Sequence, residues 1–339
     1  MKKGLLLSAV LLAASTSYAS KARLSALQYA DHLVDTQTVF TNTSTLTQLN
    51  PYLTVEMGTP GTNAEGGLLK SLSNGDKILL YAGHKDDSTA ARVTKGYLGQ
   101  QNPFDVLYAT GDKAFGAAFS TIDNKKSKTK ETTVILRYGQ SFGASSMYAH
   151  LAALSTASKD NAGHEDKLTS SPGLTLGGAH NSGDIRYFGK VSYVQSKEEL
   201  VASDVKTKSM GINLGIEDRS LKNTNSDIYY GAVVKYSQDD VEGKKITKTS
   251  LPVFVGIEHT LTSWATFRGS VSQNLIVGSE KDETATNKDA EGIASNTLAS
   301  AGLGLKYDKL QFDGALTAAA DGNVNGNAFL TQASVTYNF

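Results

Sequence analysis

The sequence predicts an all-β fold, a transmembrane antiparallel up-and-down β-barrel of about 16 strands, on three observations. Apolar and polar residues alternate along many segments of roughly ten residues, the length that a tilted strand needs to cross a bilayer. Short and long connections between those segments take turns along the chain. The last segment is amphipathic and ends at an aromatic carboxy terminus, Phe339.

The amino terminus has the three parts of an export signal. Lys2 and Lys3 precede a short apolar run that ends at Leu12, and small residues follow up to Ala19. The run is too short to span a bilayer as a helix, so we interpret residues 1–19 as a signal peptide cleaved after Ala19. The mature chain is therefore expected to be exported.

The composition excludes several classes of function. The chain has no cysteine, which rules out a disulfide scaffold and thiolate chemistry. Its 33 basic residues are matched by 33 acidic ones, so no basic excess points to nucleic acid. No Gly-x-Ser-x-Gly motif is present. We therefore predict no enzymatic activity, no cofactor and no metal site.

Residues 20–51 do not follow the strand pattern. Leu24, Leu27, Leu33 and Val34 indicate a short amphipathic turn or helix, and a polar stretch follows up to Pro51. The segment could lie in the periplasm or act as a plug in the lumen. We favour the lumen, because about thirty ordered residues need a surface to pack on.

The barrel itself is predicted to cover residues 52–339. The alternating segments, in chain order, are Tyr52–Gly58, Glu65–Leu72, Lys77–Gly83, Phe104–Thr110, Lys113–Thr121, Glu131–Gln140, Ser146–Ser155, Gly173–His180, Asp184–Gln195, Thr207–Glu217, Asp227–Gln238, Thr249–Leu261, Ser263–Leu275, Asn296–Tyr307, Leu310–Ala319 and Phe329–Phe339. One face is apolar in each clear case. In Thr207–Glu217, for example, Met210, Ile212 and Leu214 share a face opposite Asn213.

The connections indicate which ends of the strands share a side of the membrane. Short links rich in Gly, Asn, Asp and Ser are typical of tight hairpins; they lie at Ser73–Asp76, Gly111-Asp112, Ser141–Ser145, Asn181–Gly183, Thr262 and Asp308-Lys309. Longer polar links are predicted at His84–Pro103, Asp123–Lys130, Thr156–Pro172, Ser196–Lys206, Asp239–Lys248, Ile276–Ser295 and Ala320–Ala328. One link, Asp218–Ser226, departs from the pattern because it is longer than its class. Short periplasmic turns and long external loops fit the rest of this sorting.

The closing strand carries the most specific resemblance. With the signal peptide, the alternating strands and the sorted links, the run that ends Val335-Thr336-Tyr337-Asn338-Phe339 resembles the porin-type outer-membrane proteins of Gram-negative bacteria, over residues 52–339. The resemblance implies a passive diffusion channel in the outer membrane, in contact with its lipids and lipopolysaccharide. It also implies insertion by the barrel-assembly machinery, with Val335, Tyr337 and Phe339 as the signal, and often a homotrimer.

The chain departs from that family at the third external link. In general porins this loop is long and folds inward, whereas Asp123–Lys130 is short and rich in lysine. Residues 20–51 or the loop His84–Pro103 could narrow the pore instead.

Strand parity predicts which charged residues face the lumen. The basic ones are Arg137, Arg186, Lys190, Lys235, Arg268 and Lys306, and the acidic ones are Glu56, Asp105, Glu217, Glu258 and Asp313. A lining of both signs is weakly selective, and pairs such as Lys306 with Asp313 would neutralise part of it. Two interpretations stay open. The charges either only keep the inner wall hydrated, or they give the channel a mild preference for anions.

The leading functional prediction is a water-filled channel for passive diffusion of small hydrophilic solutes or ions. One alternative is a plugged structural or interaction barrel. Another is a transporter of hydrophobic substrates with an amino-terminal hatch, for which Tyr229, Val233, Phe188 and Phe254 point inward by parity.

Overall fold

The computed structural model describes residues 20–57, 64–86, 89–161, 163–170, 172–201, 203–275, 279–282, 291–292, 297–319 and 332–339. The predicted signal peptide lies outside the described residues. So do Phe329–Thr331, the first residues of the last predicted strand.

Strands make up most of the described chain. In order they are β1 Tyr52–Met57, β2 Glu65–Ser71, β3 Lys77–Ala82, β4 Phe104–Thr110, β5 Lys113–Asn124, β6 Thr129–Phe142, β7 Ser145–Asn161, β8 His164–Ser170, β9 Gly173–Ser182, β10 Ile185–Glu199, β11 Asp204–Asp218, β12 Ser226–Val241, β13 Lys244–Ser250, β14 Pro252–Thr262, β15 Ala265–Asn274, β16 Ser279–Asp282, β17 Glu291–Gly292, β18 Thr297–Tyr307, β19 Leu310–Ala319 and β20 Gln332–Asn338.

These segments form a closed antiparallel barrel of sixteen wall strands. Four wall strands consist of two segments each, because β8 continues into β9, β13 into β14, β15 into β16 and β17 into β18. Each wall strand pairs with its neighbours in sequence, and β1 pairs with both β2 and β20. The wall therefore has no unpaired edge, as a lipid environment requires. The predicted fold class is confirmed.

Tight turns occur at both ends of the barrel. At one end Gly111 and Gly183 adopt positive φ angles of 57° and 62°, at two of the links that the sequence marks as short. Both ends of the wall meet at this end, since the backbone N–H of Phe339 donates to the carbonyl of Pro51 at 3.3 Å. We assign this end to the periplasm, because the long link between β3 and β4 lies at the other end.

Several long external loops predicted from the sequence are wrong. Thr156–Pro172, Ser196–Lys206 and Asp239–Lys248 fall mostly within strands that extend the wall and meet in short turns, and half of Asp123–Lys130 does so. The physical reason is that strand above the bilayer meets water on both faces, so its apolar alternation disappears. The wall is consequently uneven. β7 has 17 residues and β1 has 6, and 17 residues span about 55 Å at the usual rise of a strand.

The two faces of the wall differ in chemistry. Large apolar side chains are exposed on the outer face, such as Phe119, Leu214, Val234 and Val255. Charged and hydroxyl side chains on the alternate positions are buried inside, such as Thr133 on β6. A closed barrel with this outer surface is a transmembrane barrel, the architecture of Gram-negative outer-membrane proteins.

Residues 20–51, which we call the amino-terminal segment, lie inside the barrel. The segment contains an α-helix at Lys21–Ala26, a short helix at Thr38–Thr41 and a 3-10 helix at Thr43–Gln48. A separate short helix, Ala90–Thr94, lies in the loop between β3 and β4. None of the described helices is long and apolar enough to cross a membrane.

Candidate functional site: the occupied lumen

One half of the amino-terminal segment packs on an apolar patch of the inner wall. Val39, Phe40, Leu46 and Leu49 are buried in this contact. Their partners on β1 to β5 are Tyr52, Leu69, Leu79, Tyr81, Leu107, Ala109 and Ala114. The inward apolar residues of β1 to β5 therefore anchor the segment and are covered by it.

The other half of the segment covers a second apolar patch. Leu27 and Leu33 pack against Tyr229, Val233 and Phe254, with Phe188 partly buried beside them. The hydroxyl of Tyr229 also donates to the carbonyl of Gln28 at 3.0 Å. The segment thus covers Tyr229 and Phe254, two of the four inward apolar residues that supported a hydrophobic-substrate transporter, whereas Phe188 and Val233 also border a cavity.

A charged cluster fixes the first helix of the segment to the wall. Arg23 on this helix donates to both carboxylate oxygens of Glu258, at 2.8 and 2.9 Å. Arg268 donates to Glu258 at 2.6 Å and to Asp313 at 2.5 Å. The Arg268 residue is only 1% exposed. Two arginines and two carboxylates thus form one network across helix and wall.

A second cluster holds the middle of the segment. Nδ1 of His32 lies 2.6 Å from the carboxylate of Glu217, which also accepts the backbone N–H of Asp31 at 3.1 Å. Arg186 donates to the Asp31 carboxylate at 2.7 Å. Burial raises the pKa of the Asp31 carboxyl, and the charge of Arg186 acts in the opposite direction.

Two glutamates of the wall form a third cluster. Glu56 accepts the backbone N–H of Lys21 at 2.8 Å, and the side-chain amide of Gln37 lies 2.9 Å from both Glu56 and Glu65. Lys21 also forms an ion pair with Glu65. Glu65 was not among the predicted lumen residues, although its position on β2, two residues before the inward Gly67, could have identified it by parity.

The loop between β3 and β4 also folds inward. Arg92 donates to Glu131 at 3.0 Å and to Ser155 at 3.1 Å on the inner wall. Arg137 joins the start of this loop to the wall, since it donates to Asp86 at 2.9 Å and to Asp105 at 2.6 Å. This loop corresponds to the predicted link His84–Pro103.

The charged residues assigned to the lumen by parity differ in their surroundings. The following ones form hydrogen bonds or ion pairs described above: Arg137, Arg186, Arg268, Glu56, Asp105, Glu217, Glu258 and Asp313. Lys235 donates to the hydroxyl of Tyr29 at 3.0 Å. Lys306 is exposed and lies opposite Gln311, whereas Asp313 lies opposite Gly304.

Lys190 stands apart from the other lumen charges. It is exposed although it points into the barrel, and its side chain forms no hydrogen bond or ion pair with any residue that the structure describes. An exposed side chain inside a closed wall indicates open space beside it.

Two cavities account for that space. One of about 680 Å³ lies towards the external side, and one of about 360 Å³ lies towards the periplasmic side. Both are bounded by the amino-terminal segment on one side and by strands of the wall between β7 and β12 on the other. The described residues contain no group of three His, Asp or Glu side chains that could hold a metal ion.

No protein-family model and no curated protein matches the sequence. Solved structures that are similar include OmpT, an outer membrane protein of Vibrio cholerae, at 10% identity over 85% of this chain and 95% of that one, with a TM-score of 0.42. A porin is similar at 10% identity, over 86% and 99% of the two chains, with a TM-score of 0.42. CdiB from Acinetobacter baumannii matches at 12% identity, over 86% and 60%, with a TM-score of 0.48. Similarities of this size add no functional argument, which must come from the lumen.

Proposed function

We propose that this protein is an outer-membrane channel through which small hydrophilic solutes diffuse passively between the amino-terminal segment and the barrel wall. One observation carries the proposal: the segment leaves two adjoining cavities along β7 to β12. A barrel of this strand number encloses a channel unless something fills it. The segment fills the lumen beside the short strands at the start of the wall and leaves space beside the longer strands β7 to β12.

The contacts of the segment favour a fixed constriction over a hatch. Its apolar side chains cover Tyr229 and Phe254, and the apolar residues that still line the periplasmic cavity, Phe188 and Val233, are interspersed with two lysines and an asparagine of the wall. Three charged clusters tie the segment to strands on opposite sides of the barrel. A solute is therefore expected to pass beside the segment while the segment stays in place.

A catalytic role finds little support. Among the described residues, two serine–histidine hydrogen bonds occur, Ser145 with His180 at 2.8 Å and Ser226 with His259 at 2.7 Å. Both pairs occupy outward positions at the periplasmic rim, away from the cavities. We propose that neither is a nucleophile–base pair.

The outer surface supports the membrane partners that the resemblance implies. Val335, Tyr337 and Phe339 are exposed on the outside of β20 and at the terminus, where lipid or the barrel-assembly machinery could bind them. Contact with lipopolysaccharide and assembly as a homotrimer stay predictions.

The proposal predicts discrete current steps from the purified full-length mature protein in a planar bilayer. The steps are expected to be uniform and small for a barrel of this size, because the amino-terminal segment occupies much of the lumen. Detergent without protein is the blank. Silence at protein concentrations that give normal insertion would contradict the channel and favour a plugged structural barrel.

A further inference from the structure

The two cavities meet at one level of the barrel. They share four lining residues, Leu24 and Thr41 from the amino-terminal segment and Tyr148 and Lys190 from the wall. Along β10 the external cavity touches Ser192 above Lys190, and the periplasmic cavity touches Phe188 below it. Lys190 therefore lies where one cavity passes into the other.

The strand register explains why the passage lies there. Lys190 is opposite Gly177 on β9, and the ring of Tyr148 lies over that glycine, within 2.3 Å of where a Cβ would stand. On its other side Lys190 is opposite Asn213, which is opposite Lys235 on β12. A glycine, a short amide and two lysines form this level of the wall on β9 to β12, and the ring of Tyr148 from β7 covers the glycine.

The charge at this level is positive. The carboxylates that line the cavities are Asp86, which accepts from Arg137, and Asp31, which accepts from Arg186. Lys235 contacts the uncharged Tyr29, with its Nζ 4.4 Å from the ring centroid. Lys190 has no acidic partner among the described residues, so its charge is not neutralised and acts on any ion in the passage.

The geometry points to Lys190 as the residue that selects the permeating ion, and to small inorganic or organic anions as the preferred solutes. This inference rests on the proposed channel function and adds a substrate class to it. An unpaired ammonium group in a narrow passage lowers the free energy of an anion there and raises that of a cation. The two carboxylates that line the cavities are each paired with an arginine, Asp31 with Arg186 and Asp86 with Arg137, so their negative charges are offset.

The test is the reversal potential of full-length protein in a planar bilayer across a gradient of dilute potassium chloride, where screening is weak. Wild type is expected to pass chloride better than potassium. Lys190→Glu should lower the chloride-to-potassium permeability ratio roughly thirtyfold, because Coulomb's law in water for a two-unit charge change about 8 Å from the ion changes the two permeabilities by about sixfold each, in opposite directions. Lys190→Gln should fall between the two.

Lys208→Glu is the matched control, because Lys208 is exposed at an outward position of the neighbouring strand β11. It should keep the wild-type ratio. A conducting wild type that prefers potassium, or a Lys190→Glu variant with the wild-type ratio, overturns the anion assignment and leaves the channel standing. An absence of current from wild type and both variants overturns the channel and the assignment together.

Discussion

Removing residues 20–51 should raise the single-channel conductance by roughly tenfold, because a barrel of sixteen strands then encloses an open aqueous lumen. The wall does not need the segment for closure, since β1 pairs directly with β20. The deletion exposes polar inner wall and also the two apolar patches that the segment covers, so the variant is expected to be less stable while the wall stays closed. The measurement is step size in a planar bilayer, with the secretion signal kept so that export is unchanged.

A point variant tests the same idea without a deletion. Gly139 on β6 faces the segment so closely that a Cβ would lie 2.1 Å from the backbone N of Ser44. Gly139→Val should therefore displace part of the segment and give steps between those of wild type and the deletion. Gly314→Val is the control, since a Cβ at Gly314 meets nothing within 4 Å. Unchanged steps in both the deletion and Gly139→Val would show that the segment does not limit the flow.

Arg268→Met should lower the free energy of unfolding by about 3–5 kcal/mol, the range for removing one partner of a buried ion pair. Arg268 is 1% exposed and bridges Glu258 and Asp313. Without it Asp313 keeps the amide of Gln311 at 2.8 Å but loses its cationic partner. Urea unfolding of the protein in lipid vesicles, followed by tryptophan fluorescence, measures the loss.

Lys208→Met removes a cation from an exposed site and should change the free energy of unfolding by less than about 0.5 kcal/mol. If Arg268→Met unfolds at the same urea concentration as Lys208→Met, the arginine cluster does not stabilise the barrel.

The membrane-facing pattern was predictable because lipid imposes it. Leu214 and its alternate neighbours on β11 had to be apolar, and tight turns at Gly111 and Gly183 needed residues that tolerate positive φ. These constraints act over a few residues, so the sequence alone displays them. The strand count and the closing partner of β20 followed from them.

The part of the wall that extends beyond the bilayer was not predictable in the same way. Lys159 and Asp160 on β7 lie beyond the bilayer, where the outer face meets water and Lys159 donates to the carbonyl of Lys95 in the inward loop, so no apolar alternation marks them as strand. Their polar composition resembles that of a loop. Only the pairing with β8 makes these residues a strand.

Parity gave the inward direction of the lumen charges but not their partners. Glu258 and Arg268 point inward by alternation, yet the residue that completes their cluster, Arg23, is 235 positions away from Glu258 in the chain. Lys190 and Arg137 look alike in the sequence. The structure separates them, because Asp105 and Asp86 neutralise Arg137 while Lys190 faces open space.

The most direct test is whether water reaches Lys190 while lipid covers the adjacent outer face. The chain has no cysteine, so single replacements Lys190→Cys and Leu214→Cys report one position each. Leu214 follows Asn213, the residue opposite Lys190, and is 58% exposed on the outer face. In vesicles, a charged thiol reagent should modify the protein with Lys190→Cys and spare the one with Leu214→Cys. Modification of Leu214→Cys at an equal rate, or protection of both, would contradict a barrel with lipid outside and a water path inside.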